Sequence, residues 1–183
     1  ELCELTGASM QTVTRLCKLG LLEQQEREVL RSPKQELPPP AEPITLTDEQ
    51  QTAFDGLSAQ MEREKPGAAL LYGVTGSGKT AVYVALIQKA LDEGRSAMLL
   101  VPEIALTPQL LGRMTAHFGK TVAVLHSSLR VGERYDEWRR IARGEARVVV
   151  GTRSAVFAPL QSPGLLILDE EQEHTYKSEN APR

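Results

Sequence analysis

From residue 45 onward, apolar residues follow two alternating rhythms. Short runs that are apolar at nearly every position (Ala68 to Tyr72, Ala97 to Val101, Val122 to Leu125, Val148 to Gly151 and Leu165 to Leu168) are separated by stretches in which apolar residues return every three or four positions. A run with no polar face suits a strand covered on both sides in a parallel sheet, and the longer period suits the helices that cover it. The pattern predicts helices over Asp48 to Arg63, Lys79 to Asp92, Pro108 to Phe118 and about Gly132 to Arg143. Their ends carry matching punctuation. Thr47 and Thr107 stand at cap positions, Pro108 takes the first helical position, and Gly144 ends the last helix. Strands alternating with helices predict an α/β fold with a parallel sheet flanked by helices.

The first 44 residues read differently. Glu1 to Thr6 has the pattern of a helix end, Gly7-Ala8-Ser9 of a turn, and Met10 to Leu19 of a second helix capped by Ser9 and stopped at Gly20. Leu5, Val13, Leu16 and Cys17 form the apolar face. With the short runs Leu21-Leu22-Glu23 and Glu28 to Arg31 as a small hairpin, residues 1–31 have the outline of part of a winged helix-turn-helix. Gln11, Thr12 and Arg15 are placed to read duplex DNA, but Glu23, Glu26 and Glu28 make the hairpin a poor partner for phosphate. DNA reading and protein docking both remain open for this segment. Pro33, Pro38, Pro39, Pro40 and Pro43 make residues 32–44 an extended linker, and residues 45–183 form the main domain.

Chemistry enters at Gly73-Val74-Thr75-Gly76-Ser77-Gly78-Lys79-Thr80, a complete P-loop between an apolar run and a helix. Glycines let the backbone curl so that consecutive N–H groups and the positive helix end face an anion. Lys79 is suited to the β- and γ-phosphates of a nucleoside triphosphate, and the Thr80 hydroxyl to a magnesium ion. Asp169 ends the apolar run Gly164 to Leu168. It is expected to hold that magnesium through water, with Glu170 orienting or deprotonating the attacking water. A site that hydrolyses a nucleoside triphosphate with Mg2+ follows from these residues; ATP as that nucleotide comes with the family resemblance described below.

Composition narrows the partners. The chain has 183 residues and a net charge of −3, so nucleic acid would be held by a local groove and not by a global basic field. Arg139, Arg140, Arg143 and Arg147 cluster, as a solvated helix face or a groove wall would. Cys3 and Cys17 stand apart with no zinc spacing, and no segment has the pattern of a signal peptide or a membrane span. A cytoplasmic protein is expected.

Several strings together resemble the first helicase lobe of the PriA (primosomal protein N′) family: Leu46 to Gln50, the P-loop, Val101 to Gln109, His126-Ser127, Gly151 to Pro159 and Asp169-Glu170-Glu171. The resemblance covers about residues 45–183 and implies a RecA-like lobe. An upstream winged helix also fits that family. It implies a superfamily 2 helicase that moves 3′ to 5′ on DNA, recognises stalled forks and starts reassembly of the replication machinery. By the same resemblance, Gln50 contacts adenine. Thr107, Gly151, Thr152 and Arg153 line the single-strand path, with Tyr176 and Lys177 opening a loop that links DNA occupancy to hydrolysis. Thr107 also reads as a helix cap, Arg153 as a partner for a neighbouring acid, and His126 as a structural histidine. Gln172 stands where the family commonly has histidine, and is expected to couple the lobes without carrying charge.

The implied partners are forked and single-stranded DNA, single-stranded-DNA-binding protein, and primosome or helicase-loader proteins. A second lobe with a transition-state arginine and a zinc module are expected of the parent protein and not of residues 1–183, so this fragment is expected to hydrolyse ATP and unwind very little alone. An ATP-switched winged-helix regulator and another superfamily 2 translocase are the alternatives.

Overall fold

The computed structural model describes residues 6–23, 38–63, 65–74 and 76–176. The chain divides into two compact units, Glu1–Leu30 and Arg31–Arg183.

In the first unit, helix α1 spans Met10–Lys18. The Ser9 hydroxyl accepts from the Thr12 N–H at 3.3 Å. At the other end Gly20 takes φ +71°, which lets its N–H reach Cys17 O at 3.1 Å and the Leu21 N–H reach Leu16 O at 3.0 Å. These bonds satisfy carbonyls that a helix end otherwise leaves bare. Leu5 and the expected strand Glu28 to Arg31 lie outside the described residues.

The second unit is built from α2 (Asp48–Met61), α3 (Lys79–Asp92), β1 (Ser96–Leu100), α4 (Pro108–Phe118), β2 (Val122–Leu125), α5 (Val131–Ala142), β3 (Val148–Gly151) and β4 (Pro163–Leu168). The four strands form one parallel sheet in the order β2-β3-β1-β4. Register brings Leu125, Gly151, Leu100 and Leu168 to one level, so the carboxyl ends of the strands line up. Thr152, Val101 and Asp169 each donate a backbone N–H to the next strand's last carbonyl, at 3.1, 2.9 and 2.9 Å.

Alternate strand residues divide the core in two. Leu99, Val101, Val148, Val150 and Ile167 pack with Val84, Ile87 and Ala90 of α3 and with Met114 and Phe118 of α4. On the other face, Met98, Leu100, Ala123, Leu125 and Val149 pack with Ile141 of α5, Ala146 and Ala155. Helix α5 also closes the β2 edge. Glu137, 4 % exposed, accepts the Val124 N–H at 3.3 Å, while Arg140 binds both Glu137 carboxylate oxygens at 2.8 and 2.9 Å and donates to the carbonyls of Lys120 and Val122.

Ala68 to Tyr72 departs from the expectation of a buried strand. Residues 66–74 have no regular structure, and Leu70 and Tyr72 are 72 % and 91 % exposed. An apolar run becomes a strand only where a neighbour supplies the ladder, and no described strand pairs with this one. Leu71 packs against the core. The last part of the expected linker also lies along the unit, with the Ala41 N–H donating to Ala116 O at 3.0 Å and Ile44 packed against the core.

Candidate nucleotide site

The P-loop runs into the N-terminus of α3, whose cap is Gly78 at φ +80°, with Gly76 at φ +83°. Both lie in the left-handed region open to glycine. Gly78 also lacks room for a side chain, because a Cβ there would stand 2.3 Å from Gln50 Nε2.

That amide belongs to α2. The Gln50 Oε1 accepts the Thr47 N–H at 3.1 Å, its backbone N–H donates to the Thr47 hydroxyl at 3.3 Å, and its Nε2 donates to Ser77 O at 3.2 Å. One glutamine therefore closes the capping box of α2 and ties that helix to the phosphate loop. Lys79 folds across the loop, donating to Gly73 O at 2.7 Å and Val74 O at 3.4 Å. Thr80 is half-buried in the first turn of α3, and Thr75 lies outside the described residues. A helix N-terminus, a glycine curl and an ammonium group make a cradle for phosphate oxygens. The Thr80 hydroxyl and the Asp169 carboxylate are hard oxygen donors of the kind Mg2+ takes.

Asp169 sits at the carboxyl end of β4. Its Oδ1 accepts a hydrogen bond from the Tyr83 hydroxyl at 3.0 Å. Tyr83 is one helical turn beyond Lys79, so α3 carries both the phosphate-loop lysine and a group that holds the acidic residue. Burial, then the charge of Asp169, holds the Tyr83 phenol well above its ordinary pKa. Glu170 adopts φ +49°, a left-handed conformation costly for a residue with a side chain. Its Oε2 accepts from Gln172 Nε2 at 2.6 Å, and its carbonyl accepts from the Glu173 N–H at 2.9 Å. The turn thus points a carboxylate held by a neutral amide beyond the end of the sheet.

Tyr176 is half-buried against the second core cluster. Its hydroxyl lies 2.7 Å from Asp169 O and 3.0 Å from Leu100 O, and its pKa is pushed up to about 12, by burial first and then by the charges of Asp169 and Glu170. The ring is seated against the protein and not displayed. Lys177 lies outside the described residues.

The residues expected along a strand path occupy the same end of the sheet but differ in access. Thr107 is exposed and its hydroxyl accepts from the Leu110 N–H at 3.2 Å, so its cap role is present. Arg153 is exposed at the start of a 3-10 segment, Arg153–Phe157. Gly151 and Thr152 are buried, and a Cβ on Gly151 would meet Leu125 O at 2.2 Å, so the glycine serves close strand approach. Ser127 donates to Glu103 at 2.9 Å, joining the segments that follow β2 and β1.

Sequence reasoning passed over Tyr83. The signal was its spacing of four from Lys79, which puts both on one side of α3.

Residues 47–181 match the family described as DEAD/DEAH box helicase. The chain is similar to the replication restart protein PriA of Bacillus subtilis, 48 % identical over 184 residues that cover all of this chain and 23 % of that protein. It is 43 % identical to the PriA of Synechocystis, over 97 % of this chain and 21 % of that protein, and 42 % identical to the PriA of Chlamydia muridarum, over 100 % and 24 %. It therefore spans about a quarter of the length of these curated relatives. A solved structure, RecG bound to three-way DNA junction, superposes with a TM-score of 0.58 at 22 % identity, covering 74 % of this chain and 23 % of that one. That likeness shows the fold, a RecA-like α/β lobe with a parallel sheet flanked by helices. Loop, acidic turn and sheet topology agree with the family match, and the chain belongs to the DEAD/DEAH box helicases, similar from end to end to the PriA replication restart proteins.

Proposed function

We propose that this chain is the ATP-binding lobe of a DNA helicase that hydrolyses ATP to move 3′ to 5′ at stalled or branched replication forks and prepares them for restart. The observation that carries the reading is the continuous set of contacts from Gln50 to the phosphate loop, along α3 to Tyr83, and from Tyr83 to Asp169 beside Glu170. A binding scaffold has no chemical need for a phosphate-loop lysine, a metal-binding carboxylate and a strained general base together. The replication-restart name of its relatives and the three-way junction in the RecG structure support branched DNA as the substrate.

Each group has a defined task. Gln50 offers an amide to adenine while its hydrogen bonds fix the loop. The P-loop N–H groups and Lys79 bind the triphosphate, and Lys79 exchanges loop carbonyls for phosphate oxygens, a stronger charge-assisted contact. When bound, Mg2+ neutralises charge on the β- and γ-phosphates. Thr80 and Asp169 are the residues that would hold it. Glu170 takes the proton of the attacking water, and the Gln172 amide orients that carboxylate.

Thr107 and Arg153 are suited to sugar-phosphate contact at the open strand ends, with Gly151 and Thr152 shaping the floor beneath them. Tyr176 offers a route from the following segment to the acidic turn through the Asp169 carbonyl. Base stacking by this ring requires it to leave its present seat. Residues 1–31 as part of a winged helix, 32–44 as a linker, 45–183 as the lobe, a cytoplasmic location, and primosome, helicase-loader and single-stranded-DNA-binding proteins as partners belong to the same proposal. Among the described residues, no helix is long and apolar enough to cross a membrane.

The test is ATP hydrolysis by the intact protein without DNA, with linear duplex and with a forked substrate, beside Glu170→Gln. Strong stimulation by the fork that vanishes in the variant is expected. Hydrolysis indifferent to DNA would favour an ATP-switched regulator.

A further inference from the structure

The Tyr83 hydroxyl carries a side-chain hydrogen bond from α3 to the acidic turn, and it lies in an unusual setting. The ring is 7 % exposed and belongs to the same core cluster as Val84, Ile87 and Ile167. Its orientation is therefore set by packing and by α3, and the hydroxyl emerges where β4 ends. A phenol carries a single proton, and here it is given to Oδ1 of Asp169 at 3.0 Å. Holding one carboxylate oxygen fixes the plane of the group, so the direction of Oδ2 follows. The Asp169 backbone is held independently, its N–H on Leu100 O at 2.9 Å and its carbonyl by Tyr176 at 2.7 Å.

We propose that Tyr83 is a positioning residue that presets the Asp169 carboxylate for the magnesium of a bound nucleotide, so that Mg2+ affinity depends on a hydroxyl that touches neither nucleotide nor metal. The inference deepens the ATP-site reading and rests on it. Groups that orient a metal-binding carboxylate through a hydrogen bond characteristically alter metal affinity by about 10–100-fold when removed. A purely structural reading is also available, in which Asp169 serves to satisfy a buried phenol. It predicts a loss of stability on removal and no change toward magnesium, so the two readings separate cleanly.

The experiment compares the intact wild-type protein, Tyr83→Phe, Asp169→Asn and the double variant. Phenylalanine keeps the ring and its packing, and thermal unfolding checks the fold. A fluorescent ADP analogue is titrated in EDTA and again in excess Mg2+. In EDTA, Tyr83→Phe should bind within about 2-fold of wild type, because the phosphate loop is intact; its Mg2+-dependent gain in affinity should fall about 10-fold, and the Mg2+ concentration that half-saturates binding should rise by a similar factor. In the Asp169→Asn background the tyrosine change should add nothing, since both act through one group. A Tyr83→Phe protein with wild-type Mg2+ dependence and only a lower melting temperature would overturn the inference and leave the nucleotide site standing. Wild-type protein whose analogue binding is indifferent to Mg2+ would remove the site reading, and this inference with it.

Discussion

The two outer strands of the sheet are finished in opposite ways. At β2, α5 lays a carboxylate and a guanidinium along the open backbone: Glu137 takes the Val124 N–H, and Arg140 reaches the Lys120 and Val122 carbonyls while holding Glu137. The side chains mimic the neighbour that an edge strand lacks. At β4, Leu166 and Leu168 are 53 % and 45 % exposed, the apolar run Ala68 to Tyr72 lies unpaired, and the strand leads into Glu170 at φ +49°. One margin has side-chain partners along its open backbone. The other keeps exposed apolar surface and backbone strain beside the proposed site, as expected of a site shaped for reaction more than for stability.

That contrast can be broken from either side. The largest effect is expected at the acidic turn, where Glu170→Gln should lower kcat by about 10²–10⁴-fold, the usual contribution of a positioned proton acceptor. Its melting temperature should stay near wild type in a thermal scan. The sealed margin should respond in the reverse sense. Glu137→Ala leaves Arg140 buried without its carboxylate and should cost about 3–5 kcal/mol in denaturant unfolding. Nucleotide affinity in the folded variant should be unchanged.

Smaller effects sharpen the comparison. Glu170→Gly, with the same loss of hydrolysis as Glu170→Gln, should raise stability by about 0.5 kcal/mol, the relief of a left-handed side-chain conformation less the added freedom of glycine when unfolded. A measured loss of stability would mean that the strain is absent in solution. Leu168→Ser, on the half-exposed face of β4, should cost only about 1 kcal/mol, because nearly half of the side chain already meets water. A loss above about 2 kcal/mol would show that this face is covered in solution.

Much of this was readable in advance, for different reasons at different places. Four of the five apolar runs became strands with the expected neighbours in helical segments, since a parallel sheet demands continuous apolarity and few other structures do. Thr47, Thr107 and Ser9 each cap a helix as expected, because capping depends on a side chain and an N–H three residues away. Ala68 to Tyr72 has the same local pattern as the others and no strand beside it, which no local pattern can report. Tyr176 reads in the sequence only as the opening of a loop after the acidic turn; that its hydroxyl binds Leu100 O and Asp169 O depends on the arrival of β1 and β4 at one level.

The residues proposed to meet phosphate and metal are legible because their chemistry is written in short range: glycines before a lysine at a helix start, and an acid after an apolar strand. By itself the sequence determined most of the element types, the helix caps, the phosphate loop and the acidic turn. Only the tertiary structure decided that Gln50 braces the loop, that Glu137 and Arg140 seal an edge, and that Tyr83 holds Asp169. Each of these joins residues far apart in the chain across a few ångströms. Such contacts depend on the order and register of strands, which are properties of the whole sheet and not of any one segment.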